Sequence, residues 1–131
     1  VAGLPLDPQL IVEAGHAEED GYQAMVELMS LPQPPTAVLA SSDELAFGAM
    51  HALYDAGLKV GTDISLVGFD DLPLAAHTNP PLTTLHQPRR RMGEQLAGLL
   101  IAAIDDRTRK PEGIMLHARL IVRRSTGPPR L

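Results

Sequence analysis

The sequence predicts an α/β sandwich of three layers, with helices on the faces of a mostly parallel sheet. Three observations lead there. Short apolar runs alternate with stretches of helical periodicity in the order strand, helix, strand, helix, strand, and short connections of that kind make right-handed crossovers between parallel strands. The run 64–69 is apolar almost throughout, as a strand covered on both faces should be. With 131 residues, 44% apolar and 21% charged, the chain has the size and composition of one globular domain.

The elements follow in order. Gly3, Pro5 and Pro8 make 1–9 a loop. Leu10, Ile11 and Val12 form a short apolar run ending at Gly15, a first strand. Glu18, Glu19 and Asp20 place negative charge where a helix begins, favourable to its dipole. Tyr22, Met25, Val26 and Met29 then recur at helical spacing until Pro32, Pro34 and Pro35. A second strand covers 36–40. Ser41, Ser42 and Asp43 offer capping oxygens to a helix with Leu45, Ala49, Ala52, Leu53 and Ala56 on one side. Gly57 ends it, followed by Leu58, the apolar residue expected after a glycine cap.

A turn at 61–63 leads into the third strand, 64–69. Residues 73–81 are a loop with room for one helical turn, and 82–85 a fourth strand. A helix over 90–105 carries the stripe Met92, Leu96, Leu99, Leu100, Ala103 and Ile104. Residues 106–113 are a polar turn, 114–123 one long strand or two consecutive ones, and 125–131 a frayed tail.

Composition excludes several classes. Cysteine is absent, so there is no disulfide framework, thiolate zinc site or cysteine nucleophile. No apolar run approaches a membrane span, and no signal peptide opens the chain. The net charge of −5 argues against nucleic-acid binding by this chain itself. The charge is uneven: residues 1–88 carry twelve acids against one base, Lys59, and residues 89–131 ten bases against four acids. Two faces that attract each other account for this; Arg89–Arg91 and Arg123–Arg124 are too short for a nucleic-acid claim. There is no phosphate-cradling glycine loop, no G-x-S-x-G elbow and no histidine spacing for a metal, so no cofactor or metal is expected. A Ser42, His86 and Asp70 hydrolase lacks these supports, and absent chemistry favours a binding module.

Open parallel sheets bind ligands beyond the carboxyl ends of their strands. Three polar groups fall there: Gly15-His16, Ser41-Ser42-Asp43 and Asp70-Asp71. Asp70 ends a buried strand, where a carboxylate needs donors, from the backbone or from a bound polar molecule. Asp71 suits a turn or cap. Asp43 serves as a cap or a ligand contact, and Ser42 can cap and donate to a ligand at once. His16 alone is an ordinary loop histidine.

The residues also carry a resemblance. Pro35-Thr36-Ala37, the Ser42-Asp43 pair before a helix, Gly57-Leu58, Asp63-Ile64-Ser65, Gly68-Phe69-Asp70-Asp71, Pro80-Pro81-Leu82-Thr83-Thr84, Gln87-Pro88, Met92-Gly93 and Leu120-Ile121-Val122-Arg123-Arg124-Ser125-Thr126 occur in order over about residues 4–126. In that order and spacing they resemble the effector-binding core of lac-repressor and galactose-repressor transcription regulators. Periplasmic sugar-binding proteins share the fold and a Gly-Phe-Asp step but rarely pair Pro-Pro-Leu-Thr-Thr with Arg-Arg-Ser-Thr; a solute receptor of a transport system is the alternative.

The resemblance implies a partial periplasmic-binding-protein-like type I fold and a cytoplasmic regulator, not an enzyme. Its small polar effector, a sugar or a nucleobase, binds between two subdomains and biases operator binding by a helix-turn-helix lying outside this chain. It implies that about 1–86 and 119–126 form the C-terminal subdomain, while about 88–118 belongs to the N-terminal one. Asp70 then matches an acid that bonds the effector, Ser42 a contact position often occupied by Asn, Gln87 a cleft residue at the crossover, and His16 a position where an aromatic ring stacks. Phe47, on the other side of its helix from Leu45, Ala49 and Leu53, matches a dimer-interface position, or else packs on its own sheet. The helix stripe, without its partner sheet, leads to a homodimer or higher oligomer.

Overall fold

The computed structural model describes residues 6–106, 108 and 113–128. The start of the expected opening loop (1–5), part of the polar turn (107 and 109–112) and the end of the tail (129–131) lie outside them. Among the described residues, three α-helices, α1 (Glu18–Met29), α2 (Asp43–Asp55) and α3 (Arg89–Asp105), and four strands, β1 (Ala37–Leu39), β2 (Ser65–Asp70), β3 (Thr83–His86) and β4 (Arg119–Ile121), make up the regular structure together with short 3-10 turns at Pro8–Leu10 and Pro73–Ala76. The strands lie in the order β1-β2-β3-β4. β1, β2 and β3 are parallel, with Val38 opposite Leu66 and Asp70 opposite His86, and β4 runs antiparallel to β3, with Leu85 opposite Leu120.

Local chemistry sets the helix ends. The Asp20 carboxylate reaches back to accept from the Ala17 N–H at 2.9 Å, closing the first turn of α1. At the end of α2, Gly57 takes a φ of +72°. Its N–H donates to the Tyr54 carbonyl, and that of Leu58 to the Leu53 carbonyl, both at 2.9 Å, which satisfies the last turn. The two helices pack backbone to backbone. A Cβ at Gly48 would strike the Glu18 carbonyl, and one at Gly21 the Leu45 carbonyl. Below them the core gathers Met25, Leu28, Ala46, Phe47, Leu53, Leu66 and Leu82.

Two expected strands are corrected. Residues 10–12 do not form one. Pro8–Leu10 is a single 3-10 turn, and 11–15 run without a sheet partner. An apolar hollow of about 370 Å³, with Ile11, Val12, Met25, Leu28, Val38 and Leu45 in its walls, separates them from β1. A strand needs a neighbour about 4.8 Å away, and among the described residues β1 pairs only with β2. The Thr36 carbonyl accepts from Ser65 N–H and Ala40 N–H donates to the Val67 carbonyl. Parallel pairing alternates inward and outward, so Ala37 and Leu39 turn their main-chain groups to the open edge. The run 114–123 likewise yields only Arg119–Ile121, because β3 offers four residues to pair with.

α3 leaves the sheet after β3 and buries none of its residues. Leu96, Leu100, Ile101 and Ile104 are each at least 60% exposed. Met92, Leu96 and Leu99 also line a hollow of about 460 Å³ shared with Ile114, Met115 and Leu116. Covering such side chains is worth about 1.5–3 kcal/mol each when complete. The isolated 131-residue chain is therefore expected to self-associate. Sedimentation equilibrium should give a mass above 14.0 kDa that falls when Leu100 and Ile104 are both changed to Gln; a monomer at all concentrations would contradict it.

Candidate functional site

Because β1, β2 and β3 are parallel, their carboxyl ends share one rim of the sheet. After β1 the chain turns through Ser41 into α2. Ser42 has an extended backbone and caps the helix, its Oγ accepting from the Leu45 N–H at 3.2 Å. Asp43, the first residue of α2, is fully buried. Its Oδ1 accepts from the Thr84 hydroxyl at 2.6 Å and its Oδ2 from the Leu72 N–H at 2.7 Å. This one carboxylate ties α2 to β3 and to the segment following β2. Gly68 makes room for it, since a Cβ there would run into Asp43 Oδ1. The expectation that Asp43 contacts a ligand is therefore corrected: both oxygens are engaged and the residue is closed to solvent.

Asp70 ends β2 with a φ of +125°, and Asp71 follows at +55°. Asp70 Oδ1 accepts from Gln87 Nε2 at 2.5 Å. The group is partly exposed, and among the described residues no donor is assigned to its Oδ2. Asp71 accepts from Arg123 Nη2 at 2.6 Å through Oδ1 and meets His86 Nδ1 at 3.0 Å through Oδ2. Arg123 is itself held: Nη1 donates to the Leu82 carbonyl at 2.7 Å and its N–H to the Thr83 hydroxyl at 2.9 Å. The Arg123 hydrogen bond keeps the Asp71 carboxyl below its ordinary value; partial burial opposes this, and His86 adds to it.

The structure thus joins Asp70 with Gln87 and places Ser42 beside the Asp43 brace on the same rim. His16 stands apart: it is exposed, on chain outside the sheet, and no hydrogen bond or ion pair links it to Asp70, Ser42 or Gln87. Phe47 is 9% exposed and belongs to the core cluster; the exposed aromatic of α2 is Tyr54, at 79%. No hydrogen bond joins Ser42 to His86, whose ring is turned to Asp71, so the hydrolase arrangement is not assembled. Among the described residues no group of three or more His, Asp or Glu side chains is placed to hold a metal ion. Sequence reasoning missed Thr84 and Arg123. The only available signals were a threonine inside a buried strand and an arginine closing an apolar run.

A parallel-sheet rim carrying a partly exposed acid, beside the strand-to-helix crossing at Gln87-Pro88, defines a binding domain. The profile of the periplasmic binding protein-like domain matches residues 2–126, so the chain belongs to that family. Within it, the chain is of the lac-repressor type. It is 45% identical over 129 residues to the HTH-type transcriptional regulator AglR of Rhizobium meliloti, covering 96% of this chain and 36% of that protein. The transcriptional regulator CelR–cellobiose complex superposes with a TM-score of 0.86 at 35% identity, covering 95% of this chain and 38% of the other. The lac repressor dimer bound to operator and the anti-inducer ONPF superposes with a TM-score of 0.76 at 31% identity, over 86% and 39%. The chain spans little more than a third of the curated relatives it matches.

Two outcomes follow for the rim. Asp43→Ala strips a buried hydroxyl and a buried N–H of their charged acceptor, so urea unfolding should show a loss of about 3 kcal/mol; a loss below about 1 kcal/mol would refute the brace. The Asp71 carboxyl titrates lower folded than unfolded, so the unfolded chain takes up the proton first. Its contribution is complete above the ordinary value of 3.8 and disappears as pH falls through the lower folded value. Stability measured from pH 6 downward should therefore fall less steeply below about pH 4 in Asp71→Asn than in the parent. Parallel curves would contradict this.

Proposed function

We propose that this chain is the effector-sensing part of a transcription regulator, and that it takes a sugar-like polyhydroxylated effector against Asp70 and Gln87. One observation carries the reading. Asp70 stands at the carboxyl end of a central parallel strand, partly exposed, with one oxygen engaged by Gln87 and the other without a protein donor among the described residues. Hydroxyl groups are the matching chemistry, since an ionised carboxylate only accepts. Ser42 flanks the site with a hydroxyl. The cellobiose complex of CelR supports a sugar, and the HTH-type name of AglR supports control of operator DNA through a helix-turn-helix.

In this reading residues 88–118 pack with a second subdomain, and the effector alters how the two are set relative to each other. The absence of buried residues in α3 supports that division. The protein acts as a homodimer, as the lac repressor does on its operator, with Phe47 at the edge of a contact made by the exposed face of α2. It works in the cytoplasm as a non-enzymatic regulator. No described helix is long and apolar enough to cross a membrane. The shared fold also suits a transport receptor, but the HTH-type relatives favour regulation.

Calorimetry of the intact protein against ribose, cellobiose and related sugars tests the site. Asp70→Ala should weaken the best binder about 10-fold or more, the loss of a hydrogen bond to a charged group. An Asp70→Ala protein that binds as the parent does would end the assignment.

A further inference from the structure

We propose that Asp71 is the positioning residue of this site: it aims the Asp70 carboxylate by clamping the end of β2 between Arg123 and His86. The proposal rests on Asp70 as the effector contact. Left-handed backbone is tolerated by Asp at a φ near +55°, but +125° at Asp70 is a region that L side chains rarely adopt. Such a conformation is strained and lasts only where its surroundings determine it.

The surroundings here are specific. The Asp71 N–H donates to the Thr84 hydroxyl at 3.3 Å and the Leu72 N–H to Asp43, which fix the chain just past Asp70. The Asp71 side chain adds what these bonds cannot. It bridges two other elements: the segment after β4, through Arg123, and the end of β3, through His86. Arg123 cannot swing away, because its other nitrogen and its main chain are bonded to β3 and the residue before it. Asp71 and Arg123 side chains are 19% and 18% exposed, so the ion pair is shielded enough to hold a geometry.

The placement relative to Gln87 is the telling part. Asp71 follows Asp70 in the chain, and His86 precedes Gln87. Two neighbouring cross-links, 70 to 87 and 71 to 86, therefore join the ends of β2 and β3. The second fixes the backbone on both sides of the first. Arg119 pairs with His86 across β3 and β4, and the charged group in contact with the imidazole is Asp71. Removing Asp71 leaves the Asp70–Gln87 pair intact in composition but releases its aim.

The test uses the isotope-labelled 131-residue chain without ligand. The Gln87 side-chain amide, bonded to a carboxylate, gives a displaced proton resonance that reports the pair. Asp71→Gly, which keeps the positive φ without strain, and Arg123→Gln, which leaves Asp71 in place, should each return that resonance to the free-amide position. The main-chain amides of Leu66 and Val67 should exchange as in the parent. The proposal is overturned if the Gln87 resonance stays displaced in both variants, or if it moves only together with faster exchange at Leu66 and Val67, since Asp71 would then be a general brace. Because no effector is used, failure here is separate from failure of the Asp70 assignment, which Asp70→Ala calorimetry decides.

Discussion

The Asp43 carboxylate is the interaction from which the rest of the rim takes its shape. A buried ion is costly unless fully satisfied. Here it begins α2, where the helix dipole favours negative charge, and both its oxygens accept hydrogen bonds. One of those bonds comes from a strand two positions across the sheet and the other from the loop that leaves the strand between. A single side chain thus sets the distance between β3 and α2 and the direction of the chain after β2. The Thr84 hydroxyl extends the effect, giving its proton to Asp43 while receiving the Asp71 N–H. The backbone of Asp70 is bent within that frame.

The frame also separates what is firm from what is left open. The α1–α2 pair and β2 are buried and interlocked, and the strained residues are mounted on them. β1 keeps one bare edge, and α3 extends from the end of β3 with its apolar residues uncovered. The polar site therefore sits where a well-packed layer meets segments that have yet to find their full set of neighbours. The proposed effector site lies on that boundary, where a guest would register as a change in how those segments lie against a fixed reference.

Much of this was legible in the sequence, for physical reasons that also explain the exceptions. Strand 64–69 was readable because a strand covered on both faces is apolar almost throughout, strands 36–40 and 82–85 as short runs bounded by prolines and turn residues, and the helix after Ser42 because its cap and its glycine stop are local signals. The run at 10–12 was just as apolar, yet it forms no strand, since apolarity speaks of burial and not of a pairing partner. Asp70 was accessible from the rule that parallel strands present ligands at their carboxyl ends, and Gln87 only through the family resemblance. Asp43 was ambiguous because an acid opening a helix looks the same whether it faces a guest or the interior. Arg123 was invisible as a partner of Asp71: fifty-two residues separate them, and nothing local marks either end.

Gly68 gives the Asp43 brace a consequence for how the chain can change over time. The glycine is bare because the acid twenty-five residues earlier occupies the space a methyl group would need. Neither position can drift alone. A larger residue at one calls for a shorter one at the other, and the intermediate step carries either a steric collision or a stranded donor. The two positions share one volume, so a side chain at 68 fits only where position 43 gives up its carboxylate.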